Sequence, residues 1–235
     1  MTIQELIDAS LVKPDRIRSG KWNPSSFGQC YRQQYWNRKN ETPSNPPGKR
    51  SLRVFACGQL FHDLVQNAMT KFAILDGQIV FSENDMPFFK KEVLVESDDV
   101  KGYADLVGEN EVIDIKSQHS KSFWYMSKFK GDDIKKEKYG NWLQVIYYAM
   151  QLNKEFARLV FVSKDDLSMQ EYVQPVDYDW RKEVDAELKT LRQIWTANVL
   201  PPALPRCEPN KKGEFWQCTY CKFKNKCYEL EAKNE

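Results

Sequence analysis

No apolar run in this sequence approaches the ~18–20 residues that span a bilayer, which argues against a helical membrane protein. The first residues, MTIQELIDASLVKPD, are amphipathic and carry acids, so no secretory signal is expected and a cytoplasmic location follows. Net charge is only +2, too small a sum to argue for nucleic-acid binding, which would have to rest on a local patch. Histidine is scarce, with His62 and His119 alone. There is no internal repeat. What is there is ordinary for a globular chain: 41% hydrophobic and 29% charged residues over 235 positions, enough to bury a substantial core. A single domain over 1–235 is expected, with an N-terminal helical region (1–50), a core (51–176) and a C-terminal helix and cysteine segment (177–235).

Periodicity gives the order of elements. Residues 2–10 read as a short helix. A second helix is expected to begin near Pro24-Ser25-Ser26, capped by Ser25 or Ser26, and to carry Cys30, Arg32 and Trp36. NETPSNPPGKR (40–50) holds three prolines and a glycine and forms a loop or hinge. The apolar spacing from Ser51 to about Leu75 is helical. Strands are expected at roughly 88–96, 100–107, 111–116, 157–163 and 168–174, and helices at 140–152 and 177–198, whereas 120–138 has no clear pattern. Helices, three strands, a helix and further strands predict an α/β (α+β) fold with a central mixed β-sheet flanked by helices.

The densest chemistry lies in VKGYADLVGENEVIDIKS (100–117). Two runs of Val, Ile, Leu and Tyr flank the polar turn Gly108-Glu109-Asn110-Glu111, a hairpin signature. Side chains alternate along a strand, so Asp114 and Lys116 share a face and Ile115 points into the core. With Asp105 on the first strand, two carboxylates and an ammonium can converge, as is needed to hold a divalent cation beside a water and a phosphodiester. Alone, an Asp-x-Lys on a strand is more often a solvated face. Glu92 or Glu96, on the preceding strand, is a further candidate for a metal or water contact.

Six cysteines form the second signal: Cys30, Cys57, Cys207, Cys218, Cys221 and Cys227. Cys57 sits in a helical apolar context and reads as a small buried hydrophobe. The tail carries C-x2-C-x5-C at 218, 221 and 227, a spacing that suits a thiolate-bound metal centre in a reducing compartment. The fourth ligand is open. Cys207 would complete a local zinc site, and Cys30 would tie the two ends of the chain to one cluster.

Taken together, G-Y-A-D-L-V with I-D-I-K resembles the PD-(D/E)XK nuclease superfamily, which implies a restriction-endonuclease-like core. G-Q-L-F-H ending at His62 and Q-V-I-Y-Y with Gln144 and Tyr148 resemble its RecB-like branch. P-S-S-F-G-Q-C-Y-R with the C-terminal cysteines resembles the iron–sulfur members, which include AddB-type subunits and CRISPR-adaptation nucleases. The resemblance covers most of the chain. It implies a magnesium- or manganese-dependent deoxyribonuclease, an exonuclease preferring single-stranded DNA ends. His62, Asp105, Asp114 and the carbonyl of Ile115 would be metal ligands, and Lys116 would orient or deprotonate water or stabilise developing charge. Gln144 and Tyr148, four apart on one helix face, would position DNA and support the site. It also implies a [4Fe–4S] cluster on Cys30, Cys218, Cys221 and Cys227, with zinc on Cys207, Cys218, Cys221 and Cys227 as the alternative. A helicase, a recombinase or a CRISPR-integration protein is the implied kind of partner. A structure-directed endonuclease, or a DNA-binding assembly subunit without turnover, remains open. Lys128, Lys130, Lys135 and Lys136, interleaved with Phe123, Trp124, Tyr125 and Phe129, suit a DNA groove with stacking platforms as well as they suit solvated charge. Arg32 is a further DNA-contact candidate, and the lysines around the cysteine tail could extend the same basic track.

Overall fold

The computed structural model describes residues 2–12, 19–75, 78–81, 88–129, 132–203 and 216–232. In chain order the elements are α1 (Ile3–Ser10), a 3-10 turn (Pro24–Ser26), α2 (Tyr31–Arg38), α3 (Lys49–Lys71), β1 (Phe72–Leu75), β2 (Gln78–Phe81), β3 (Lys90–Glu96), β4 (Lys101–Val107) and β5 (Glu111–Gln118). They continue with α4 (Ser120–Met126), α5 (Asp132–Glu137), α6 (Tyr139–Gln151), β6 (Phe156–Ser163), β7 (Met169–Pro175), α7 (Tyr178–Ala197), α8 (Trp216–Thr219) and α9 (Lys224–Ala232). No helix among the described residues is long and apolar enough to cross a membrane.

The mixed α/β architecture expected from the sequence is the one observed. β3 to β7 form one five-stranded sheet in sequential order, antiparallel except for β5 and β6, which run parallel because α6 carries the chain back between them. The chain divides into two compact units that exchange inside α3 and α7. One comprises Asn23–Gly28 and Ala56–Leu188 and holds the sheet; the other comprises Met1–Trp22, Gln29–Phe55 and Lys189–Glu235.

In the sheet unit, alternation sorts the strand residues between two layers. Ile113, Ile115, Val160, Val162 and Leu106 pack with Val65 on α3, joined by Phe61, Met69 and Phe89. Full burial of each such side chain contributes about 1.5–3 kcal/mol. The opposite layer is α6, whose residues from Trp142 to Ala149 are all buried. An amphipathic stripe would cover only one side, so this helix is a core element.

Three local expectations change. The helix expected from Pro24 is two elements, a 3-10 turn capped by Asn23 and then α2 starting after Cys30. Gly28 lies between them at φ +69°, a left-handed conformation that a continuing right-handed helix cannot contain. Its Cβ position also lies 3.1 Å from the Gly140 backbone, so a side chain would crowd α6. The helix expected to Leu75 ends at Lys71, and the chain turns into the β1–β2 hairpin, closed by the Phe72–Phe81 ring pair at 5.0 Å. The patternless stretch 120–138 contains α4 and α5.

In the second unit, Tyr35, Trp36 and Phe223 form a small core with Ile194, Trp195 and Leu230 around them. The 40–50 loop straps the cysteine tail: Asn45 N donates to Lys222 O at 2.8 Å, Asn225 N to Asn45 Oδ1 at 2.8 Å, and Lys226 N to Ser44 Oγ at 3.2 Å.

Candidate active site

The site lies where a ladder stops. β4 and β5 pair only at Leu106↔Ile113 and Val107↔Val112. One step further the register would bring Asp105 opposite Asp114, and there the strands part. The Ile115 N–H that a continuing ladder would have used donates instead to Asp105 Oδ2 at 2.7 Å. A buried amide cannot go unpaired, and a short carboxylate fills the widening gap.

His62, one helical face of α3, brings Nδ1 to 3.5 Å from the same Asp105 oxygen. Lys116 Nζ donates to Asp114 Oδ1 at 2.9 Å and to Gln144 Oε1 at 3.3 Å. It also lies 2.8 Å from Asp114 Oδ2. That buried oxygen has the ion pair but accepts no hydrogen bond. Tyr148 comes close because β4 has a glycine at 102: a Cβ there would overlap the Tyr148 hydroxyl. His62, Asp105, Asp114, Lys116, Gln144 and Tyr148, far apart in sequence, are thus brought together. Ile115 contributes its backbone here, its side chain being fully buried in the α3 layer.

The electrostatics follow from two carboxylates sharing one low-dielectric place. Burial, and next the charge of Asp114, push the Asp105 carboxyl up to about 7 from 3.8, against the pull of Lys116 and the Ile115 amide. Burial works to lower the Lys116 ammonium, but Asp114 and Asp105 outweigh it and hold the pKa above the ordinary lysine value. For His62, burial and then Lys116 lower the pKa, which favours the neutral imidazole, the ligating form. Burial, followed by the two aspartates, raises the Tyr148 phenol, which stays protonated.

The donor set fits a hard divalent cation: carboxylate oxygens, a neutral imidazole and a backbone carbonyl, with more negative charge than Lys116 alone offsets. Among the described residues, no three His, Cys, Asp or Glu groups are closed into a coordinating geometry.

Two neighbours complete the wall, one of them not singled out by the sequence. Gln66, one turn beyond His62 and 2% exposed, donates to Glu92 Oε1 at 2.7 Å and to the Asp105 carbonyl at 3.2 Å. The i, i+4 relation to His62 was the available signal. Glu92 acts electrostatically on both His62 and Asp105 and takes φ +51° in mid-strand, opposite Asp105. Glu96, the other candidate, is paired with Lys101 at 2.9 Å.

The remaining candidates fall elsewhere. His119 caps α4, its Nδ1 accepting from Lys121 N at 3.2 Å. Lys128 stands over the Trp124 ring, 4.2 Å from its centroid, while Lys135 and Lys136 lie in the last turn of α5. Lys130 and Cys207 lie outside the described residues. Cys57 is half-buried.

In the second unit, Cys30, Cys218 and Cys227 each act electrostatically on Cys221. Burial, with smaller contributions from the other three thiols, raises the Cys221 pKa against a hydrogen bond from the Phe223 amide. Arg32, 11% exposed, donates to Cys227 Sγ at 3.1 Å, to Pro201 O at 2.9 Å and to Glu231 at 3.1 Å.

No family model matches the chain, and no curated protein matches it. Among solved structures, SSO0001 is 16% identical over 97% of this chain and 96% of that one, with a TM-score of 0.52. An alkaline exonuclease (LHK-Exo) from Laribacter hongkongensis is 14% identical over 77% of this chain and 93% of that one, with a TM-score of 0.44. Its complex with dAMP gives 14% identity over 83% and 93%, also at 0.44. The likeness to SSO0001 is one of fold alone, and the chemistry rests on the chain's own residues.

Proposed function

We propose that this protein is a divalent-metal-dependent DNA nuclease of the RecB-like PD-(D/E)XK kind, acting as an exonuclease on single-stranded ends. The observation that carries the reading is the convergence of half-buried Asp105 and buried Asp114 with His62 and Lys116 at the point where β4 and β5 part. A binding scaffold has no need to hold two carboxylates where DNA phosphates would lie, since like charges repel the ligand.

His62, Asp105, Asp114 and the carbonyl of Ile115 would hold magnesium or manganese. When bound, such an ion supplies Lewis acidity at the phosphate and a lowered pKa for water. Lys116, held between Asp114 and Gln144, presents an ammonium to the attacked phosphate and opposes the charge that grows on it. Gln144 fixes that ammonium, and Tyr148, protonated and seated against Gly102, donates to the substrate backbone.

In the second unit, Cys30, Cys218, Cys221 and Cys227 would hold a [4Fe–4S] cluster, for which the spacing of the tail cysteines, the reach of the other three thiols to Cys221 and soft thiol chemistry are the support. The cluster would be structural, closing the tail onto α2. Anaerobic reconstitution should give a brown protein whose visible absorption is lost in Cys30→Ala. Retention of full iron content in that variant would overturn the ligand set.

The nuclease reading is tested with anaerobically purified protein on end-labelled linear and circular single-stranded DNA, with magnesium and manganese separately. Linear substrate should be degraded and circular substrate spared, with activity abolished in Asp114→Asn and by chelation. No cleavage of any substrate with either metal defeats the proposal. Cleavage of the circle would replace the exonuclease by an endonuclease.

A further inference from the structure

α4 starts at Ser120, four residues after Lys116, at the end of β5 where its side chains enter the site. Trp124 lies within about 20 Å of Lys116 by chain reach. The helix is also on the correct side of the sheet. Val160 and Val162 face α3, so Leu159 and Phe161 face the other way. Tyr172 pairs opposite Leu159, meets the Phe161 ring at 6.0 Å and donates from its hydroxyl to the Met126 carbonyl at 3.4 Å. α4 therefore covers the face from which Asp114 and Lys116 project.

Met126 anchors the helix at 1% exposure, yet Trp124 is 66% exposed and Tyr125 55%. Burying these two rings would be the ordinary outcome, as each carries a large apolar area. Lys128 stands over one face of the Trp124 indole, which leaves the rest of a largely exposed ring to a ligand. Tyr125 is braced edge-on by Phe129 at 5.1 Å. The chain from His119 to Phe129 contains no acidic residue and carries Lys121 and Lys128, the next acids being Asp132 and Asp133 at the start of α5. Exposed π faces set among ammonium groups match bases and phosphates of an unpaired strand. A protein partner would find apolar rings, but the one-sided charge favours a polyanion. Duplex DNA hides its base faces in the stack.

We propose that Trp124 and Tyr125 form a stacking platform for unpaired nucleotides of the substrate strand, with Lys128 as its phosphate contact. The platform rests on the nuclease reading for its role, because it would hold the single strand whose end enters the site, but its binding is measurable without cleavage.

The test uses full-length protein in chelator, a short labelled oligothymidylate and a hairpin duplex of the same composition. Alanine at a stacking position costs about 5- to 150-fold per base. Trp124→Ala and Tyr125→Ala should each weaken oligothymidylate binding by at least about fivefold, with little change for duplex, while Trp124→Phe retains most of the affinity. Lys128→Gln should flatten the salt dependence by roughly 0.7 in log–log slope. Trp124→Ala should leave that slope unchanged. Both aromatic positions are exposed, so the variants should melt with wild type. The proposal is overturned if wild type does not bind oligothymidylate, if either alanine variant binds it as wild type does, or if single strand and duplex lose affinity equally. Binding that depends on Trp124 without cleavage under any metal condition would leave the platform standing and remove the nuclease. Cleavage by wild type with unaltered binding in Trp124→Ala would do the reverse.

Discussion

Replacing Asp105 with Asn should make the metal-free protein more stable while removing its proposed chemistry. The wild-type carboxyl is pushed from 3.8 to about 7, chiefly by burial and then by the charge of Asp114. A raised folded-state pKa means that the folded chain binds the proton more tightly than the unfolded chain. Below about pH 4 both states are protonated and nothing is lost. As pH rises towards 7, stability falls by up to about 1.4 kcal/mol per unit, and above 7 the whole difference, on the order of 4 kcal/mol, is gone. Asn is nearly isosteric, uncharged throughout, and its Oδ1 can still accept from the Ile115 amide, now made at 2.7 Å. Its melting temperature in chelator at pH 8 should therefore exceed that of wild type, by roughly 2–4 °C for each kcal/mol recovered. The gap should close as the buffer is taken towards pH 4. Manganese or magnesium should raise the wild-type transition and leave Asp105→Asn nearly unmoved, again closing the gap from the other side. Scanning calorimetry over a pH series, with and without metal, reads all of this. An Asn variant no more stable than wild type at pH 8, or a gap that does not shrink with acid, refutes the claim that Asp105 is held under electrostatic stress.

Two further substitutions probe the wall of the site. Gly102→Ala would place a methyl group on the Tyr148 hydroxyl and 3.0 Å from Pro24 Cδ. The phenol must move, so DNA degradation should fall at least about tenfold while Asp114-dependent metal binding persists, and unchanged turnover would show that Tyr148 is not used. Gln66→Leu removes both of its hydrogen bonds, leaving the Asp105 carbonyl and Glu92 without that donor. A loss of about 1–3 kcal/mol in stability by denaturant titration is expected. The same variant should show a lower kcat with a nearly unchanged KM for DNA, and a KM effect alone would contradict a role for Gln66 in holding Asp105.

Much of this could be read before the fold was known, for identifiable reasons. β5 and β6 announced themselves as short runs of β-branched and aliphatic residues because both of their faces are buried, β7 by the alternation of a half-covered strand, and α6 by an apolar run too long for a strand. The Asp105, Asp114 and Lys116 grouping was legible because a tight turn fixes which residues oppose each other. Gln66 was not legible. A single glutamine on a helix looks the same whether it faces water or a carbonyl, and only the approach of β4 decides. The left-handed φ of Glu92 leaves no trace in a Glu side chain, whereas Gly28 at least offered a residue that tolerates its conformation. Arg32 carried nothing but charge. Whether a guanidinium meets a phosphate or a thiol is set by tertiary contacts, and here it reaches Cys227. The break between the 3-10 turn and α2 was hidden by helix-compatible residues on both sides of one glycine.

The short β4–β5 ladder has a consequence for how this chain can change. Gly108 N donates to Glu111 O at 2.9 Å, and Phe89 packs where any Gly108 side chain would stand, so the length of that turn is tightly fixed. Inserting or deleting one residue there would shift the partner strand by one place. Every side chain on it would then swap faces. Asp114 and Lys116 would enter the aliphatic layer against α3, and Ile113 and Ile115 would emerge in their stead. A point substitution alters this site one side chain at a time, but a change of turn length would displace its acid, its cation and half of the core in one event. Inheritance of the turn at constant length is therefore the trait to look for in any sequence suspected of sharing this chemistry.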